Sequence, residues 1–365
     1  MKVPDYIWVD ILFKQLINKI MNRIFYLDLL KGVSIFFVVL LHTAAIGLSM
    51  SDIGSVVWEV CNVTDSLCRF VVPVFVMISG ALLLNNNRQY HLFKSVKRLI
   101  IPLLLWSMLY SFMVVIYQYR MISLESVTAF LRLTFLTPTH NWFLYMLIGI
   151  YITVPLLRPI ITNGGGRLII ILWIVFGVCL PFIDNFEMFD SINTFAKRFS
   201  ITLPLGYIGY FVLGYELSNT NRFMGRKFIG LLLATSFAII VSTAALTHFV
   251  SASQGCLTEL FYNYMSPAIA VYSVCIFLLA KNLYSDNHSV SNYWYSKLVV
   301  LMSKYSLAIY MFHEFILIFV QKIGVNPTVA HPMISLPTIA LGIYVSAFVV
   351  IHVCAKNSIF RKYMM

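Results

Sequence analysis

Between Tyr26 and Ser49 an apolar run carries three acidic or basic side chains, Asp28, Lys31 and His42. Ionisable groups are costly inside a bilayer and face a protein or water-filled interior there, so these three are the first candidates for chemistry. On a helix Asp28 and Lys31 are one turn apart. Lys31 and His42, eleven residues apart, return to within about 20° of one stripe and stand about 16 Å apart along the axis. An imidazole at His42 is suited to taking and returning a proton near neutral pH. Asp28 and Lys31 fit a headgroup anchor equally well, and His42 fits a hydrogen bond inside a bundle. Farther along, Ser306, Tyr310 and His313 fall at i, i+4 and i+7 with Glu314 adjacent, which makes a second polar stripe. The plainer reading of His313 and Glu314 is a buried structural pair.

The elements that hold these stripes must be membrane helices. Of the 365 residues, 60% are hydrophobic and 11% charged, against about a quarter charged in soluble domains, so the polar residues are too few to coat a globule. A formal charge of +12 is spread through short loops between apolar runs, which fits membrane topology and contact with membrane lipids rather than nucleic acid. The six cysteines form no CxxC pair and no His/Cys spacing of a zinc site, so no metal is expected. Cys61, Cys68 and Cys256 fall in segments expected outside, as isolated cysteines or as disulfide partners. Residues 1–22 contain Asp5, Asp10, Lys14 and Lys19 and lack the pattern of a cleaved signal. Ile7 to Ile20 reads as a surface-lying amphipathic helix ahead of a single membrane domain, 23–365, with Met21 as an alternative start.

Apolar segments run about 27–49, 69–85, 99–118, 141–161, 167–183, 201–217, 228–250, 265–282, 298–320 and 333–355, which predicts an all-α polytopic protein of about ten spans. Pro102, Pro155, Pro204, Pro267 and Pro337 are expected near helix ends or first turns. Basic residues alternate between successive loops. One side holds clusters such as Arg88, Lys94, Lys97 and Arg98, whereas the other holds Arg120, Arg132, Lys197, Arg198 and Lys322. By the positive-inside rule both termini are cytoplasmic. His42 and His313 then each lie about fifteen residues into a helix that runs outward, at similar depth, where the two imidazoles can share one cavity.

The stretch from Tyr26 to His42 resembles the first helix of acyltransferase family 3, in which a basic residue is followed by ten residues and a histidine. Here the basic residue is Lys31, where arginine is commoner. The likeness continues through Arg69-Phe-Val-Val-Pro-Val-Phe-Val-Met-Ile-Ser-Gly80, Lys97-Arg98 ahead of Pro102 and Trp106, and Asn141-Trp142-Phe143-Leu144, and ends with Ser306-Leu-Ala-Ile-Tyr310-Met-Phe-His313. The resemblance implies an integral membrane O-acyltransferase of the bacterial inner membrane. It would use acetyl-coenzyme A as acyl donor and co-substrate, with a glycan or lipid-linked saccharide of the cell envelope as acceptor. It makes His42, Tyr310 and His313 the candidate catalytic residues and assigns the coenzyme A phosphates to Lys31, Lys97 and Arg98. Asp28, Arg69, His140, Trp142, Ser306 and Glu314 are candidate substrate contacts. Several of these have plainer roles: Arg69 snorkelling to lipid, Ser79-Gly80 allowing close helix packing, Lys94, Lys97 and Arg98 attracting anionic lipid, and Trp142 in an aromatic belt.

A non-enzymatic transporter or flippase of envelope glycolipid would also need polar groups inside a bundle. The chain shows no internal repeat and no matched pair of broken helices, which disfavours a carrier. Short loops leave no soluble output module for a sensor. No sequence feature fixes an oligomeric state.

Overall fold

The computed structural model describes residues 24–85, 89–119, 124–135, 141–186, 188, 206–220, 225–284 and 294–365. The amphipathic segment expected at 1–22 and His140 lie outside them. Every regular element among the described residues is helical, as lipid requires of a chain that must satisfy its backbone groups within each segment.

The helices are α1 (Phe25–Met50), α2 (Val56–Cys68), α3 (Val71–Leu83), α4 (Leu92–Tyr119), α5 (Leu124–Phe135) and α6 (Trp142–Thr162). They continue with α7 (Gly166–Ile183), α8 (Gly206–Asn219), α9 (Arg226–Gln254), α10 (Pro267–Leu283), α11 (Trp294–Lys322), α12 (Pro332–Cys354) and α13 (Ser358–Tyr363). Nine stretches among the described residues are long and apolar enough to cross a membrane. The span expected at 201–217 corresponds to α8, whose 14 described residues fall short of the roughly 20 that a crossing needs.

Local signals set several boundaries. Ser55 caps α2 by accepting from Trp58 N at 3.2 Å, and Ser266 caps α10 by accepting from Ile269 N at 3.3 Å, with Pro267 at the first helical position. Helix α9 ends at Gly255, whose φ of +68° is left-handed, the usual glycine stop. Pro102 and Pro155 lie inside α4 and α6 rather than at their ends. The remaining segment of the helix tolerates each of them because neighbouring groups in a bundle compensate the lost bond.

Helix α1 is the centre of the bundle, packed against α2, α3, α10, α11 and α12. The region between α1 and α3, expected as an outer loop, is helix α2, which buries Trp58, Cys61, Asn62, Asp65 and Cys68. Val56–Leu83 thus makes one crossing, broken at Arg69–Phe70. Cys61 and Cys68 are buried there and Cys256 is exposed; all three are free thiols.

Helices α3 and α8 cross in backbone contact. A Cβ on Gly80 would fall 1.7 Å from the Phe211 carbonyl oxygen, and one on Gly214 would fall 2.1 Å from that of Met77, so only glycine permits this approach. Basic side chains close the far ends of the same two helices. Arg158 of α6 donates to the Leu83 carbonyl at 2.6 and 2.8 Å and to that of Asn85 at 3.2 Å. Lys281 of α10 donates to the carbonyls of Leu217, Ser218 and Thr220 at 2.6, 2.8 and 2.5 Å. Cations suit the negative ends of helix dipoles, and these satisfy carbonyls that the helices leave open.

Candidate active site

Both polar stripes read from the sequence meet along the α1–α11 contact. Near the N-terminal end of α1 Asp28 Oδ1 accepts from Ser303 Oγ at 2.5 Å. Deeper in the bundle the rings of His42 and His313 lie 5.2 Å apart between centroids, tilted by 44°. His313 is fully buried. Its Nδ1–H donates to the carbonyls of Tyr310 at 2.6 Å and Ile309 at 3.3 Å. A carbonyl can only accept, so the neutral ring carries its proton on Nδ1 and leaves the Nε2 lone pair bare. No described atom hydrogen-bonds to Nε2, and the buried Glu314 Oε2, 4.0 Å away, likewise has no partner. Donor atoms of His42, His313 and Glu314 all lie within 4.8 Å of one another. This is a set that can handle a proton, and by its chemistry it would also accept a divalent cation.

A cavity of about 160 Å³ lies beside this cluster, lined by Lys31 of α1, Ile78 and Ser79 of α3, Leu99 of α4, Phe143 and Tyr151 of α6, and Ser306 and Tyr310 of α11. Its wall is mostly apolar, with Lys31 toward the N-terminal end of α1 and hydroxyls at Ser79, Tyr151, Ser306 and Tyr310. The cavity stops at Tyr310, whose ring lies 6.0 Å from that of His313. Tyr310 therefore stands between the cavity and the imidazole pair.

A family model described as an acyltransferase domain, that of acyltransferase family 3, matches residues 24–356. The chain belongs to acyltransferase family 3. No match to a curated protein or to a solved structure accompanies it. The protein is thus a multi-pass membrane O-acyltransferase.

In this acyltransferase the other residues singled out from the sequence fall in three places. Ser306 lines the cavity and donates to the Ser303 carbonyl at 3.0 Å. Lys97 and Arg98 are exposed near the start of α4, next to cavity-lining Leu99. Arg69 and Trp142 belong to a second group, joined to the cavity wall through Phe143 and Tyr310. Arg69 forms an ion pair with Asp65 one turn back, donates to the Tyr262 carbonyl at 3.4 Å, and sits 4.2 and 5.6 Å from the ring centroids of Tyr262 and Tyr264. It is held by protein and not by lipid phosphate.

Trp142, 39% exposed, stacks on Tyr264 at 6.0 Å and 28° and meets Tyr207 at 5.7 Å. Asp65, Tyr207 and Tyr264 were not among the residues that the sequence brings forward. Asp65 and Arg69 at i, i+4 carry a helical ion-pair signal, but α2 reads as a loop. The contact from Arg69 to Tyr262 spans 193 residues and leaves no periodic trace.

Proposed function

We propose that the protein transfers an acetyl group from acetyl-coenzyme A to a hydroxyl of a cell-envelope glycan or its lipid-linked precursor in the bacterial inner membrane. Within the family, we read its motifs as resembling those of the O-acetyltransferase of enterobacterial common antigen. The observation that carries the reading is the bare, buried imidazole nitrogen of His313, with His42 and Glu314 beside it, next to an apolar cavity lined by Lys31 and Tyr310.

In this reading the phosphates of coenzyme A meet Lys31, Lys97 and Arg98, and the pantetheine arm follows the cavity so that the thioester reaches Tyr310. His42, less buried than His313, takes the acceptor hydroxyl proton as that oxygen bonds to the acetyl carbon. Tyr310 donates to the oxyanion that forms. The carbon–sulfur bond then breaks, the ester is released, and the thiolate of coenzyme A recovers the proton from His42. His313, its own ring held by the Tyr310 carbonyl, positions His42 by the ring contact at 5.2 Å.

Purified protein in lipid nanodiscs, given labelled acetyl-coenzyme A and glycan from cells lacking the gene, should release coenzyme A and form base-labile acetyl esters. Movement of unmodified glycolipid across a liposome without acetyl-coenzyme A, and no ester, would establish the flippase reading instead. An acetyl group trapped on the protein when acceptor is withheld would replace the general-base step by an acetyl-imidazole route.

A further inference from the structure

The rings of Tyr207, Trp142 and Tyr264 make an unbroken run of ring contacts at the outer start of α6, with Trp142 stacked on Tyr264 and tilted by 45° to Tyr207; this run forms a floor. Trp142 is 5.7 Å from Tyr207 on one side and 6.0 Å from Tyr264 on the other. The floor is fixed from beneath, because Tyr210 Oη donates to the Tyr264 carbonyl at 2.5 Å and the Tyr207 and Tyr210 rings lie 6.3 Å apart. Its polar edge is Arg69, whose guanidinium is held by Asp65, itself 1% exposed. Part of the fork of five donors remains for a ligand after the contacts to Asp65, the Tyr262 carbonyl and the Tyr264 hydroxyl. A tryptophan that only anchors a helix meets headgroups singly; this one is part of a three-ring surface bordered by a buried ion pair.

The floor also reaches the donor side. Trp142 is 6.3 Å from Phe143, which is 5.8 Å from Tyr310, and both Phe143 and Tyr310 line the cavity that starts at Lys31. A ligand lying on the three rings therefore abuts the wall behind which the thioester would arrive. The ligand chemistry that matches flat aromatic faces with a charged donor at the rim is a pyranose ring. Its axial C–H face packs on the rings and its hydroxyls meet the guanidinium.

We infer that Tyr207, Trp142 and Tyr264, with Arg69 at their edge, are a stacking subsite for a pyranose ring of the acceptor, entered from the outer face. The inference rests on the acetyl-transfer reading above and adds to it the face of entry and the residues that select a cyclic sugar. Tyr207 and Tyr264 contribute their ring faces and Asp65 is a positioning residue for Arg69.

The test measures KM separately for acceptor and for acetyl-coenzyme A, using the full-length protein in nanodiscs and glycan extracted from cells lacking the gene. Tyr264→Leu and Tyr207→Leu should each raise the acceptor KM about ten-fold, the loss of one stacking contact, with the acetyl-coenzyme A KM within two-fold of wild type. Tyr264→Phe and Tyr207→Phe keep the ring and should stay within about three-fold of wild type for acceptor. Leucine variants with an unchanged acceptor KM overturn the subsite, as do phenylalanine variants as damaged as the leucine ones. Thermal unfolding of each variant separates a folding defect from weaker binding, and the phenylalanine variants preserve the packing. Wild-type protein that releases no coenzyme A removes the acetyl-transfer reading, and the subsite with it.

Discussion

The coupling between His42 and His313 is open to a double-mutant cycle. Replacing a general base costs about 10²- to 10⁴-fold in rate, or about 2.7 to 5.5 kcal/mol on the barrier. His42→Gln should therefore lower kcat by two orders of magnitude or more. His313→Gln removes the ring that stands 5.2 Å from His42 and whose Nδ1–H is tied to the Tyr310 carbonyl at 2.6 Å. Its loss should be smaller, about ten- to hundred-fold, because His42 keeps its own nitrogen and loses only the group that orients it. If the two act as one unit, the double variant is no slower than His42→Gln alone, and the interaction energy equals the whole His313 effect, about 1.4 to 2.7 kcal/mol. Labelled acetyl transfer by purified variants gives the rates, and thermal unfolding in the same lipid confirms that each remains folded. Losses that multiply in the double variant would refute the shared unit, and wild-type turnover in His42→Gln would refute the mechanism.

Lys31→Arg should keep substantial activity and Lys31→Met should lose donor affinity, with added salt weakening acetyl-coenzyme A binding less in Lys31→Met than in wild type; normal affinity with lowered thermal stability would make Lys31 a helix anchor. Gly80→Ala must push α3 and α8 apart, since the new methyl would lie 1.7 Å from the Phe211 oxygen against an ordinary contact of at least 3.4 Å; the expected cost is about 1–3 kcal/mol, read as a lower unfolding temperature in lipid. Prolonged treatment with a strong chelator should leave transfer at its untreated rate, and a loss restored by zinc would make His42, His313 and Glu314 metal ligands.

The depth match of the two histidines was legible because each sits about fifteen residues into a strongly apolar run, and counting residues along helices of fixed rise gives depth directly. Their shared face followed from the 100° step. What the sequence could not show was the route by which distant loops return to the bundle. Helix α2 escaped notice because Glu59, Asn62, Thr64 and Asp65 break its apolar pattern, although partners on α1 and α9 bury its polar face: Asn62 Nδ2 donates to the Ala244 carbonyl at 2.9 Å. Helix α5 was missed for a similar reason, being 12 residues long and too short for a hydropathy window. The aromatic floor joins Trp142, Tyr207 and Tyr264, which are scattered through the chain and only become neighbours when α6, α8 and the turn before α10 converge.

The cross-bracing of α3 and α8 limits how this protein can move. Their backbones touch at Gly80 and Gly214, and Arg158 and Lys281 clamp their C-terminal tips to α6 and α10. Together these contacts form a pillar fixed at mid-height and at its base. A carrier works by rocking one half of its bundle against the other around a central site, and a pinned pillar between the halves resists that hinge. The cavity lies on one flank of this pillar, where α3 with α1, α4 and α11 faces α6. On the proposed reading, such a machine would keep its two substrates on opposite sides of a stationary wall and let only the acetyl group cross.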